Sequence, residues 1–219
     1  MDRDATAKTV RFWDPFVRIA HWSLVILFAV SYLSEGEPEW LHTWSGYIIA
    51  GLVVLRILWG FVGSQHARFS DFVTGPFNAL RYLVDMLRGT SPRYLGHSPA
   101  GGAMTIALIL ALLVTTGTGM ALLAADKGRG PLAGVVSRSV EQPAAGTTAT
   151  ATDLAVSEED EDDERGETEG GEGVWGEIHE LAANLTLALV ILHILGVAAA
   201  SYAHKENLPR SMVTGEKRA

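Results

Sequence analysis

Apolar positions along the chain gather into four runs, residues 16–34, 42–63, 103–125 and 176–203, with polar connections between them. A helix needs about 20 apolar residues to cross the hydrocarbon core of a bilayer, so each run is long enough to span. In lipid a spanning segment must satisfy its own backbone polar groups, and a run of this length does so as a helix. The pattern predicts an all-α membrane protein, a four-transmembrane-helix bundle forming a single domain over 1–219. The last run holds two histidines, His179 and His193, fourteen residues apart in GEIHELAANLTLALVILHILG. At about 100° per residue both imidazoles leave one face of the helix, and at about 1.5 Å rise they stand ~21 Å apart along it. Ionisable side chains are costly inside a membrane and usually mark a function.

Local signals sharpen two of the elements. Asp14 and Pro15 read as the N-cap and first turn of the first helix. Its apolar run continues to Leu33 with no A-x-A site, so it is read as a retained span and not as a cleaved signal peptide. In the second connection, Pro76–Gly89 is amphipathic: Phe77, Leu80, Leu83, Val84 and Leu87 share one face, with Arg81, Asp85 and Arg88 elsewhere. It is expected to lie along the inner membrane surface, with a partner-binding helix as the alternative.

Charge then orients the bundle. The net charge is −8, but residues 126–173 hold thirteen acidic and four basic residues, so the rest of the chain is close to neutral. This stretch has no apolar periodicity and is expected to be a long acidic disordered periplasmic loop, serving as a linker or as a docking surface for a basic partner. Lys and Arg favour the cytoplasmic side. The N-terminal segment, the connection 64–102 and the segment after residue 203 are basic, and the connection 35–41 has three Glu and no Lys or Arg. Both termini and the amphipathic helix are therefore expected to be cytoplasmic. Trp13, Trp22 and Trp59 then fall at inner helix ends, and Trp40, Trp44 and Trp175 at outer ends, as interfacial belts do.

Helix direction sorts four histidines into two depths. His42 and His179 fall near the outer side, His21 and His193 near the inner side, and each level draws its imidazoles from two different helices. Paired imidazoles from facing helices are a way to hold b-type haem in a bundle core, so two levels imply two haems. With no cysteine in the chain, thiolate clusters and covalent c-type haem are excluded. A zinc site needs converging ligands, which ~21 Å of separation forbids, and the carboxylate set of a di-iron bundle is missing. Gly46, one turn from His42, with Gly51, Gly60, Gly117, Gly119 and Gly196, would let a flat macrocycle approach, although small residues also serve helix packing. Arg56, fourteen residues after His42, faces the same way at the inner level, where it would meet a haem propionate or snorkel to the inner interface. His66, His97 and His204 fall at the inner surface, where each reads by default as a solvated or capping residue, and His97 is the best placed of them for a quinone or propionate. A haem-free proton relay or channel is the competing reading of the histidines.

The run Arg11-Phe-Trp-Asp-Pro-Phe-Val-Arg-Ile-Ala-His21-Trp22 resembles the first-helix signature of the bacterial cytochrome b-561 family, which includes the b-type cytochrome subunits of nickel–iron hydrogenases. Similar motifs follow in His42-Thr-Trp-Ser-Gly46-Tyr47, Arg56-Ile-Leu-Trp-Gly60-Phe-Val-Gly63-Ser64, Ala67-Arg68-Phe69, Tyr94-Leu-Gly96-His97-Ser98-Pro99 and Glu206-Asn207-Leu208…Met212-Val-Thr-Gly215. The resemblance covers most of the chain outside the acidic stretch. It implies a four-helix di-haem b cytochrome of the bacterial inner membrane, with His21, His42, His179 and His193 as the iron ligands. It also implies electron transfer between the quinone pool and a c-type cytochrome or a hydrogenase. A free-standing superoxide-oxidising, quinone-reducing enzyme is the alternative; it would want a basic outer funnel, and the outer connections are acidic. No nucleic-acid partner is expected.

Overall fold

The computed structural model describes residues 9–34, 36–94, 96–140 and 169–218. In chain order they form β1 (Thr9–Arg11), α1 (Pro15–Leu33), α2 (Glu39–Val62), a 3₁₀ turn (Gln65–Ala67), α3 (Phe69–Phe72), α4 (Pro76–Leu87), α5 (Pro99–Lys127), α6 (Ala133–Val140), α7 (Glu169–Ala203), α8 (Leu208–Thr214) and β2 (Glu216–Arg218). The protein is nearly all helical, and α1, α2, α5 and α7 are long and apolar enough to cross a membrane. Asp14 caps α1, its Oδ1 accepting from the Phe16 N–H at 2.8 Å, and Pro15 sits where a missing N–H costs nothing. The other three helices begin three to seven residues before their apolar runs. Hydropathy marks the part of a helix matched to lipid, whereas the backbone ladder continues into the polar flanks. Ile19, Ile26, Leu58, Phe61, Leu192 and Leu195 are each more than half exposed, a surface suited to acyl chains.

The chain divides into two compact units, Met1–Thr116 with Ala183–Ala219, and Gly117–Ala182. In the first unit α1 packs on α2. Polar pairs link the helices: Tyr32 Oη donates to Asn184 Oδ1 at 2.8 Å, and the Thr115 and Thr186 hydroxyls meet at 2.8 Å with Thr186 fully buried. Such bonds average about 0.6 kcal/mol in membrane helices and fix which faces meet. The segment after α7 folds back over the start of α1. β2 pairs antiparallel with β1, with Val10 opposite Lys217. The Phe12 and Trp13 N–H groups donate to Gly215 O at 2.9 and 3.1 Å, and Trp13 Nε1 donates to Ser211 Oγ at 3.3 Å. Arg18 donates to the Val213 carbonyl. Gly215 ends α8 at φ +84, where a Cβ would lie 2.8 Å from the Arg18 guanidinium, so both the conformation and the space call for glycine.

On α4 the buried residues are Ala79 and Tyr82, and the Tyr82 hydroxyl meets His204 Nε2 at 3.1 Å. Phe77, Leu80, Leu83, Val84 and Leu87 point away from the protein. In the second unit the end of α5 and the start of α7 meet at Thr118 and His179. Of the stretch expected to be a disordered acidic loop, residues 141–168 lie outside the described residues. Ala133–Val140 is helical, and residues from Glu169 on belong to α7. The average composition hid this helix, because all but one of the thirteen acidic residues lie at or beyond Glu141.

Candidate functional site

α1 and α7 bring His21 and His193 together, with ring centres 6.4 Å apart and ring planes at 60°. A hydrogen bond between the rings would draw their centres to about 5.2 Å. Metal–imidazole bonds are about 2.0–2.1 Å and a ring nitrogen lies roughly 1.1 Å from its centre, so imidazoles on opposite sides of one metal stand about 6.3 Å apart. The observed spacing matches the second arrangement. His21 Nδ1 is buried with no hydrogen-bond partner, a cost that a missing neighbour would explain. Among the described residues no group of three or more His, Cys, Asp or Glu side chains could hold a bare metal ion. A two-histidine site suits a metal that brings its own equatorial ligands, as haem iron does.

The other two histidines are each oriented within their own unit. His42 Nδ1 lies 3.0 Å from the Ser31 carbonyl and 3.3 Å from Ser31 Oγ. A carbonyl only accepts, so Nδ1 carries the proton in this contact, which fixes the orientation of the ring. His179 Nδ1 lies 3.2 Å from Thr118 Oγ1, which sets the same tautomer when the hydroxyl accepts. The His179 ring lies against Gly119, where a Cβ would come within 2.9 Å of its Cε1. Around Gly46, one turn from His42, a Cβ would meet nothing within 4 Å. Gly60 instead makes room for the Phe69 ring, so its place is explained by packing.

Arg56 is buried at 7% exposure, its guanidinium 5.5 Å from the centre of the Phe69 ring, and one terminal nitrogen has no hydrogen-bond partner. His97 packs on Phe72 at 4.3 Å and edge-on to Trp13 at 5.0 Å, with Nδ1 buried and unpaired. Burial first, then the positive charges of Arg56 and Lys217, push its pKa down to about 4 against the pull of Asp71, so it is neutral near pH 7. The two other inner-surface histidines have local partners, Asp71 for His66 and Tyr82 for His204. Sequence reasoning missed Lys217, Thr118 and Ser31. Lys217 belongs to the basic segment after residue 203, yet it is 5% exposed with Nζ 5.7 Å from the Phe12 and Trp13 ring centres. The Thr-Gly pattern of Thr116-Gly-Thr-Gly119 is a local signal that could have drawn attention to Thr118.

The family model for prokaryotic cytochrome b561 matches residues 12–215. Three similar relatives are each described as a probable Ni/Fe-hydrogenase B-type cytochrome subunit. The one from Rhizobium leguminosarum bv. viciae is 28% identical over 153 residues, 56% of this chain and 63% of the relative. That from Bradyrhizobium diazoefficiens is 27% identical over 157 residues, 58% of this chain and 63% of the relative. That from Azotobacter vinelandii is 29% identical over 104 residues, 43% of this chain and 42% of the relative. The matched part of this chain thus spans less than two thirds of the length of these relatives. No solved structure matches the chain significantly. The chain belongs to the prokaryotic cytochrome b561 family and is a multi-pass b-haem protein of the bacterial inner membrane.

Proposed function

We propose that the chain is a di-haem b cytochrome that passes electrons across the membrane between a periplasmic-side redox partner and the quinone pool. His21 and His193 hold one haem and His42 and His179 the other. The observation that carries this reading is the 6.4 Å between the His21 and His193 ring centres, together with the unpaired buried Nδ1 of His21. The assignment of His42 and His179 to the second haem rests on helix direction and depth in the sequence. The Nδ1 partner that each ring has within its own unit supports it. Bound b-type haem supplies an iron that exchanges single electrons. If each iron were held by two of these imidazoles, electron transfer would be favoured over oxygen activation.

The remaining residues bind and orient. Arg56 offers a buried guanidinium to a propionate, Gly46 leaves room for the macrocycle edge, and His97 offers a neutral ring nitrogen to a propionate or a quinone. Residues 1–219 act as one membrane domain. Its termini and α4 are cytoplasmic and the stretch 126–173 periplasmic, by the distribution of Lys and Arg. The names of the three relatives make a hydrogenase the first partner to test, with a c-type cytochrome next. The test is the haem content and redox titration of the purified protein. Two haems per chain, with a reduced α band that titrates in two steps, are expected. One haem per chain, or no Soret band, overturns the reading.

A further inference from the structure

We infer that Arg56, His97 and Lys217 form one buried carboxylate-binding site beside the His21–His193 level, closed by the α8–β2 segment acting as a strap. The inference rests on the haem proposed at His21 and His193 and names what receives its two carboxylates. A continuous path of rings joins the three groups. Arg56 lies over Phe69, Phe69 meets Phe72 at 5.8 Å, Phe72 packs on His97, His97 on Trp13, and Trp13 lies under the Lys217 ammonium. The cluster adjoins the histidine level through the strap, since Trp22, whose ring lies edge-on to His21 at 5.4 Å, donates from Nε1 to Met212 O.

Arg56 and Lys217 are both more than nine-tenths buried, and neither forms an ion pair among the described residues. Three carboxylates face the cluster, and each has another partner. Asp14 caps α1, Asp71 pairs with His66 at 3.2 Å, and Glu206 accepts from Arg93 Nε at 2.7 Å. Taking a cation out of water is costly, and a ring face returns only part of that cost. Two buried cations and two unpaired donor nitrogens therefore call for a ligand with negative charge. Two propionates match two cations in number. A quinone carbonyl would accept hydrogen bonds but would leave the charges uncompensated.

The strap is what brings Lys217 into the cluster. Asn207 caps α8, accepting from the Arg210 N–H at 2.9 Å, and Gly215 turns the chain so that β2 pairs with β1. Trp13 Nε1 and Trp22 Nε1 donate to Ser211 Oγ and Met212 O, holding the strap against α1 and the residues before it. Lys217 thereby lies over Phe12 and Trp13 from a strand about 200 residues away in sequence.

The experiment is a redox titration of the full-length haem-loaded protein carrying Lys217→Met, which keeps the apolar stem on Phe12 and Trp13 and removes the charge. Lys217→Gln serves if the methionine variant does not assemble, and Lys217→Arg is the rescue. Losing the positive charge should shift the reduction of one haem about tenfold toward ferric, ~59 mV for one electron. The affected haem should be the one that His193→Ala removes. The other step should stay in place, the arginine variant should restore the wild-type titration, and transfer of that haem to apomyoglobin should speed up. Both steps unchanged, with two haems still bound, overturns the carboxylate site and leaves the di-haem reading standing. Unchanged steps with a raised KM for quinone overturn it in favour of a quinone headgroup. A wild-type protein without a haem at His21 and His193 overturns the earlier reading first, and this one with it.

Discussion

Gly119→Ala puts a methyl carbon 2.9 Å from Cε1 of His179 and 3.3 Å from its Nδ1. Non-bonded carbons rest at about 3.5–4.0 Å, so the ring must retreat by roughly 0.6 Å or tilt. Metal–ligand bonds tolerate about 0.2 Å, so a ring that retreats this far would no longer serve the iron proposed there. If the ring stays, the strain of overpacking is about 1–3 kcal/mol, which weakens haem binding roughly 5- to 150-fold. Gly117→Ala is the control, because a Cβ there meets nothing within 4 Å while the change in helix propensity is the same. The assay is haem content of the purified variants and the rate of haem transfer to apomyoglobin. Gly119→Ala should lose or rapidly release one haem and keep the other, and Gly117→Ala should match wild type. A Gly119→Ala protein that keeps two haems and releases both at the wild-type rate would refute the placement of His179 as a ligand seated on Gly119.

Two further outcomes follow from single contacts. Thr118→Val removes the Nδ1 partner of His179, so the ring becomes a weaker and less firmly oriented ligand. The affinity of that haem should fall by about 10- to 100-fold and its reduction become easier, with the other haem unmoved; identical titration curves would rule out the orienting role. His97 takes a proton at about 4 in the folded chain and at 6.5 when unperturbed, so between those values the unfolded state binds more protons. Its contribution is therefore complete above pH 6.5 and is lost as the pH falls toward 4, by about 3 kcal/mol at most. Melting temperatures of the apoprotein in detergent should drop over that window, and His97→Phe should flatten the drop; parallel curves for the two proteins would count against it.

What could be read from the sequence was whatever a helix repeats. The shared face of His179 and His193 follows from their fourteen-residue spacing and 3.6 residues per turn, and the structure has the His21 and His193 ring centres 6.4 Å apart. Asp14 and Pro15 acted as their cap chemistry requires. The helix starts at Glu39, Pro99 and Glu169 were missed because their first turns are polar and carry no hydropathy signal. The β1–β2 pair was illegible for a different reason. Three-residue strands show no alternation, and their pairing joins residues about 200 positions apart. The burial of Lys217 is illegible for the same cause, because only that pairing brings it against Phe12 and Trp13. Gly60 and Gly46 look alike in sequence, and only the ring of Phe69 tells them apart.

The central claim is that each haem has one ligand from α7 and one from another helix, matched by depth. Haem content and redox titration of His21→Ala, His193→Ala, His42→Ala, His179→Ala and the double variants test it most directly. His21→Ala and His193→Ala should abolish the same step of the titration, and their combination should remove nothing more. His42→Ala and His179→Ala should abolish the other step. A His21→Ala protein that loses the step also lost in His179→Ala, or a His21→Ala His193→Ala protein that still holds two haems, would contradict the account.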